Sequence, residues 1–254
     1  MRIDTDRVRQ ALGSAAAIGP YFAVELDADG PAWLDYPVLI ADRAALPGRV
    51  RAAREFLAER CRTEPDAIDE RATASIQFLG IAARLISPAY GAAVVAGVVP
   101  RLRPSLLRWQ DTLGGPMPIA LMPAGGFTSA EPARLARLLY AEIIDTAVLP
   151  LLETVGARFR LSEQVLWGNV ASAVGGASIM LATARPDLAE HARAVAAALV
   201  DCGELAGRGG FVDMANRQPP WRFARDNCCL FYRIPGGGKC ADCVLVPAQA
   251  HETD

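Results

Sequence analysis

The sequence predicts an α+β protein that is predominantly α-helical: a helical body, a small β-hairpin or sheet, and a cysteine-bearing module at the C-terminus. Three observations carry that expectation. Apolar residues recur at helical spacing over most of the first two hundred positions. One pair of short extended segments flanks a glycine turn near residue 114. Four of the six cysteines lie between positions 228 and 243. A chain of 254 residues suffices for one sizeable core, or for one domain with a small module attached. Loop signals at 203–210 and 216–220 place the boundary, giving domains 1–210 and 211–254.

In chain order, residues 1–17 form a weak first helix, and 20–47, rich in proline, aspartate and aromatics, reads as loop with short extended pieces at 21–26 and 38–40. Val50, Ala53, Leu57 and Cys61 then share one helical face. Thr63-Glu64-Pro65-Asp66 has the capping-box pattern and opens a helix to about Ile86. Ser87-Pro88 ends it, and a further apolar helix spans 90–98. Strands at 106–110 and 117–122 flank Gly114-Gly115, and need further strands or helices to be stable. Thr128–Glu131 caps a helix whose buried stripe is Leu135, Leu138, Leu139, Ile143 and Ala147, with Pro150 kinking or dividing it. Ser162 caps a helix to Ala184, Arg185-Pro186 stops it, and a last helix reaches Cys202.

Net charge is −2, which gives no reason to expect nucleic acid or an anionic membrane as partner. All but one of the 26 basic residues are arginine, a pattern expected of high-GC coding; the exception, Lys239, adjoins Cys240. Apolar residues make up 52% of the chain, so a membrane span must be weighed. The best candidate, 79–99, has the required length but contains Arg84 and Ser87-Pro88, and reads better as a buried core helix. Peripheral membrane contact stays open, with no segment that argues for it. The N-terminus, with Arg2, Asp4, Asp6, Arg7 and Arg9, lacks the apolar core of a signal peptide, so the expected location is cytoplasmic.

In a reducing compartment, clustered thiols hold metal more often than they bridge each other. Cys228-Cys229, ten intervening residues, then Cys240-x-x-Cys243 make a tetrathiolate cage for zinc or an iron–sulfur cluster. Zinc knuckles usually present two Cys-x-x-Cys pairs. Adjacent cysteines in extended backbone point to opposite sides and serve one ion poorly, so the spacing favours the wider two-iron centre without excluding zinc.

These residues also carry a resemblance. The adjacent cysteine pair, the gap containing Tyr232-Arg233 and Gly236-Gly237-Gly238, and the closing Cys240-x-x-Cys243 resemble the C-terminal signature of the FhuF-like ferric-siderophore reductases. The block Leu166-Trp167-Gly168-Asn169-Val170-Ala171-Ser172-Ala173 is similar to a second family block. Of the two, the four-cysteine signature is the specific part. The resemblance implies a 2Fe-2S cluster on Cys228, Cys229, Cys240 and Cys243 in the C-terminal module. It further implies a siderophore-binding helical domain, and one-electron reduction of ferric siderophore, hydroxamate types included, to release ferrous iron.

Arg222, Arg225, Arg233 and Lys239 lie around the cysteines. As a group they would neutralise a negatively charged centre, raise its reduction potential and attract an anionic partner. The triple glycine lets backbone approach closely, offering amides to the sulfurs. Trp167 and Asn169, on different faces of one helix, are offered by the resemblance as part of a substrate cleft. Trp109, Trp221 and Phe231 read as packing residues, Cys61 and Cys202 as ordinary buried cysteines, His191 as half-buried and structural, and His251 as part of a polar tail. Two histidines without metal spacing argue against a histidine-based centre or a Cys–His nucleophile. Gly236–Gly238 lacks the context of a nucleotide loop, and no flavin or nicotinamide motif is visible, so electrons come from another protein such as a ferredoxin. The rival classes are a zinc-stapled binding or scaffold protein and a redox-sensing siderophore-binding protein without turnover.

Overall fold

The structure, a computed structural model, describes residues 1–215 and 217–245; His251 lies outside them. After a two-residue strand β1 (Arg2–Ile3) comes helix α1 (Thr5–Ala16). Residues expected as loop and extended pieces instead form β2 (Leu34–Asp35) and a short helix α2 (Tyr36–Ala41). Burial overrides the weak local signal there: Tyr36 and Leu39 are buried, and the Tyr36 hydroxyl donates to the Ala147 carbonyl at 2.9 Å. Helix α3 (Ala45–Cys61) follows as the apolar spacing predicts.

Helix α4 (Glu70–Ala96) corrects two expectations. The capping-box residues form only a short 3-10 turn at Pro65–Ala67, and the helix is capped by Asp69, whose carboxylate accepts from the Ala72 amide at 3.0 Å. Nor does Ser87-Pro88 end it: Pro88 sits inside the helix, and Ile86 to Tyr90 are all buried. Packing on every side holds the rod together across the missing N–H. Tyr90 fastens it to a helix near the end of the body by donating to the Ala192 carbonyl at 2.6 Å. Arg84 is satisfied by the carbonyls of Pro20, Tyr21, Ala23 and Met117, and burial lowers its pKa to about 10. A buried cation held by backbone carbonyls explains a charge on so apolar a helix.

Strands β3 (Val98–Pro100), β4 (Leu107–Trp109), β5 (Ile119–Leu121) and β6 (Gly126–Thr128) make two small antiparallel sheets, ordered β1-β6-β3 and β2-β4-β5. The expected hairpin is the β4–β5 pair, with Leu107 opposite Leu121. Helix α5 (Pro132–Leu139), a π-helical stretch (Tyr140–Val148) and α6 (Leu149–Phe159) run on without interruption. Pro150 therefore does not divide the rod; the widened turns come directly before it, where an α-helical ladder would need the N–H that proline lacks.

Helix α7 (Glu163–Ala184), capped by Ser162 as expected, crosses α4 in the most extensive helix pairing of the fold, and α8 (Ala189–Val200) lies against it. Helices α4 and α7 have the length and apolarity of membrane spans, yet about three-quarters of each apolar window is buried within the fold, 78% and 72%. Finally β7 (Gly209–Asp213) and β8 (Trp221–Arg225) pair antiparallel, Gly209 opposite Arg225, and pack on α7. Phe223 of β8 enters the same core cluster as the helices, so the strand leading to the cysteines is anchored in the helical body.

Candidate metal centre

β8 delivers the chain to the cysteines with alternating burial: Trp221, Phe223 and Arg225 point inward, Arg222 and Ala224 less so. Asn227 is buried against Gly168 of α7, where any Cβ would stand 1.7 Å from the Asn227 Oδ1. The chain then reverses at Leu230, a non-glycine residue in the left-handed region at φ 69°. Leu230 packs against both hydrophobic clusters, which hold it in this sparsely populated conformation. A 3-10 turn (Phe231–Arg233) and Ile234 rest on α3 and α4, and the Cys61 thiol donates to the Pro235 carbonyl at 3.0 Å. Cys61 is thus half-buried against the cysteine loop rather than simply packed in a helix face. The Cys243 amide donates to the Cys240 carbonyl at 3.1 Å and closes the Cys-x-x-Cys turn, which β8 holds through the Arg225 amide on the Asp242 carbonyl at 3.3 Å.

This folding brings the four thiols together. The sulfurs of Cys229 and Cys240 are 3.5 Å apart, and Cys228 lies near enough to Cys229 and Cys243 to feel their charge. Main-chain amides point at the sulfurs: Leu230 to Cys228 at 3.3 Å, Leu245 to Cys243 at 3.4 Å, and Phe231 to Cys229. These are not the glycine amides expected from the sequence. Gly237 is needed because a Cβ there would meet the Phe231 carbonyl oxygen at 2.7 Å, while Gly236 and Gly238 adopt φ near 70°. The Cys240 thiol holds Cys229 below the ordinary thiol range against its burial, with the Phe231 amide and Arg225 adding; Cys240 is correspondingly raised. Desolvation raises Cys228.

Of the four cations, the structure singles out Arg225. It is 2% exposed; its Nη2 donates to Asn169 Oδ1 at 2.6 Å, while its Nε and Nη1 are buried without a partner. The Asn169 amide donates to Ser75 Oγ and O at 2.9 and 3.0 Å, and Ser75 Oγ donates to the Cys229 carbonyl at 2.8 Å. A buried chain of bonds therefore runs from β8 through α7 and α4 to the thiol loop. This corrects the reading of Trp167 and Asn169 as cleft residues: Trp167 is buried in the core and Asn169 is wholly buried, spent on this chain. Arg233 is on the surface, paired with Asp69 at 3.3 Å, and Lys239 donates to the Leu245 carbonyl at 3.1 Å. Arg222 is half-buried and lines a groove beside the Cys-x-x-Cys turn. Trp109, Trp221 and His191 are buried or half-buried.

Ser75, Asn227 and Asp242 escaped the sequence reading. Asp242 accepts from the Ser172 hydroxyl of α7, so Gly168, Asn169 and Ser172 all touch the segment 225–242. A cue existed: 168, 172 and 175 are small residues at helical spacing, the mark of a face built for close approach.

The residues present fit an iron–sulfur group. Four clustered thiols, amides aimed at sulfur and two unpartnered guanidinium nitrogens suit an anionic, thiolate-held centre. Among the described residues no three His, Cys, Asp or Glu side chains already stand as ligands of one ion, so the thiols would have to draw closer around any metal they hold. No curated protein matches the chain. Residues 225–245 match the family model of the FhuF 2Fe-2S C-terminal domain, a span that starts at Arg225 and includes all four cysteines. The chain therefore carries a FhuF 2Fe-2S C-terminal domain, its cofactor is a 2Fe-2S cluster, and it is consistent with an FhuF-like family.

Proposed function

We propose that this protein is a ferric-siderophore reductase. The observation that carries the reading is a 2Fe-2S domain that reaches the surface on one side: Cys229 and Cys243 are buried, Cys228 and Cys240 are half-buried, and Ala241, Val244 and Leu245 beside them are exposed. In this reading Cys228, Cys229, Cys240 and Cys243 hold the cluster, and residues 1–210 provide the body that receives the chelate. When bound, the group supplies one electron at a time. Siderophores hold ferric iron through hard oxygen donors, and the softer, less charged ferrous ion is held far less tightly, so one electron is enough to free the metal. The remaining task of the protein is positional: the Leu230, Phe231 and Leu245 amides and Arg225 stabilise negative charge on the sulfurs, which favours the reduced form. An electron-donor protein such as a ferredoxin reloads the centre, and the setting is cytoplasmic.

Anaerobic mixing of the dithionite-reduced holoprotein with ferric hydroxamate, catecholate and citrate chelates, with a ferrous-specific dye present, tests the reading. The visible spectrum of the oxidised centre should return as ferrous dye complex forms in equal amount. A reduced spectrum that persists with every chelate contradicts turnover and favours a sensor, and a colourless zinc protein favours the scaffold.

A further inference from the structure

A groove of about 320 Å³ opens directly beside the cluster loop, between α7, β8 and the Cys240–Cys243 turn. Its floor is the α7 stripe of Ser172, Gly176, Ile179 and Thr183. Ala241 and Asp242, the two residues between the paired cysteines, form one wall, so an occupant would touch the ligand turn itself. Hydrogen-bond donors dominate the other wall. Arg217 and Arg222 bring two positive charges, and Trp221, which precedes Arg222 on β8, is buried, 2% exposed. The one acid, Asp242, already accepts from Ser172. With Asp242 engaged, two guanidinium groups against one carboxylate leave the lining net positive, which suits an anionic ligand.

We propose that this groove is the chelate site, and that it recognises a ferric complex presenting carboxylate or other anionic oxygens to Arg217 and Arg222. The proposal rests on the ferric-chelate reading above and adds the place of binding and the charge of the ligand. The volume matches small-molecule pockets, which begin at about 300 Å³. A protein partner would need about 800 Å² of surface on each side, far more than a concave slot offers.

Gallium(III) complexes separate binding from electron transfer, because they copy the ferric ion's charge but accept no electron here. Calorimetry on the oxidised holoprotein would compare a gallium trihydroxamate bearing a free carboxylate with its neutral amide analogue. The carboxylate form should bind about tenfold more tightly, and R217Q/R222Q should remove that preference. A Cβ at Gly176 meets nothing within 4 Å, so G176L fills the groove without a backbone clash and should abolish binding of both complexes while iron content and visible spectrum stay as in the wild type. Unchanged gallium affinities in R217Q/R222Q overturn the proposal even if G176L does not fold. So does wild-type oxidation of reduced G176L by ferric chelates, which would leave the reductase reading intact. Gallium binding that G176L abolishes, with no oxidation of reduced wild type by any ferric chelate, sustains the groove and sinks the reductase reading instead. Loss in G176L of reduction by a donor protein alone, with gallium binding retained, makes the groove a protein-docking surface and overturns the proposal.

Discussion

Arg225 is the residue on which charge and geometry meet at the thiol cluster. Buried, and bonded through one nitrogen to Asn169, it leaves its other two nitrogens unpaired near Cys228 and Cys229. Arg233 and Lys239 lie within the cysteine loop itself, but the first is paired with Asp69 at the surface and the second with a carbonyl. R225Q should therefore lower the reduction potential by about 60 mV, the tenfold step of a one-electron couple, because the reduced state loses more stabilisation than the oxidised one. R233Q should move it much less. Redox titration decides between them; an equal or larger drop in R233Q would contradict the assignment. Asn169→Ala leaves Arg225 and Ser75 without their shared partner, and should cost about 1–3 kcal/mol in chemical denaturation and broaden the cluster's visible circular dichroism. Each ligand replacement, Cys228→Ser, Cys229→Ser, Cys240→Ser or Cys243→Ser, should lose or strongly alter the visible spectrum. Cys61→Ser and Cys202→Ser should retain it; loss in those two with retention in Cys228→Ser would reassign the ligands.

At the scale of elements, α7 is the platform for the metal loop. Gly168 and Gly175, seven residues apart on one face, receive Asn227 and Phe223. A Cβ on Gly175 would come within 2.3 Å of the Phe223 ring, so Gly175→Ala should destabilise the protein by about 1–3 kcal/mol through overpacking and lower cluster retention on dilution. Unchanged melting and retention would show that β8 docks by other means. Helix α4 contributes through its cap. Burial pushes Asp69 up, but the Ala72 amide and Arg233 outweigh it and hold the carboxyl below its ordinary range. A depressed carboxylate adds stability above its unfolded pKa of about 3.9, and that contribution is lost as pH falls through the folded value. Asp69→Asn should keep most of the cap and lose the tie to Arg233; Asp69→Ala should lose both, with about 1 kcal/mol for the cap. The gap between wild type and Asp69→Asn should close below pH about 4. A gap that is constant with pH would show that the carboxylate charge contributes nothing.

In the whole molecule, the parts legible in the sequence were those written in local pattern. The helical class, the Ser162 cap, the β4–β5 hairpin and the metal-binding character of the C-terminus follow from periodicity, caps and cysteine spacing. What local pattern hid was decided by packing. Helix α4 runs through Pro88 because it is buried on every side, α2 forms where Tyr36 finds a partner on a distant helix, and the cap lies at Asp69 because the earlier Thr63–Asp66 match makes only a short turn. The same holds at the centre: four ligand candidates were visible as letters, but the Ser75–Asn169–Arg225 chain joins residues up to 154 positions from the cysteine they support. Metal and sulfide analysis of the anaerobically purified protein, read with its visible spectrum, tests the central claim most directly. Two irons and two acid-labile sulfides per chain, with bands that bleach on dithionite and return on oxidation, are the expected result for the 2Fe-2S domain. One zinc per chain, no sulfide and no visible absorption would contradict it.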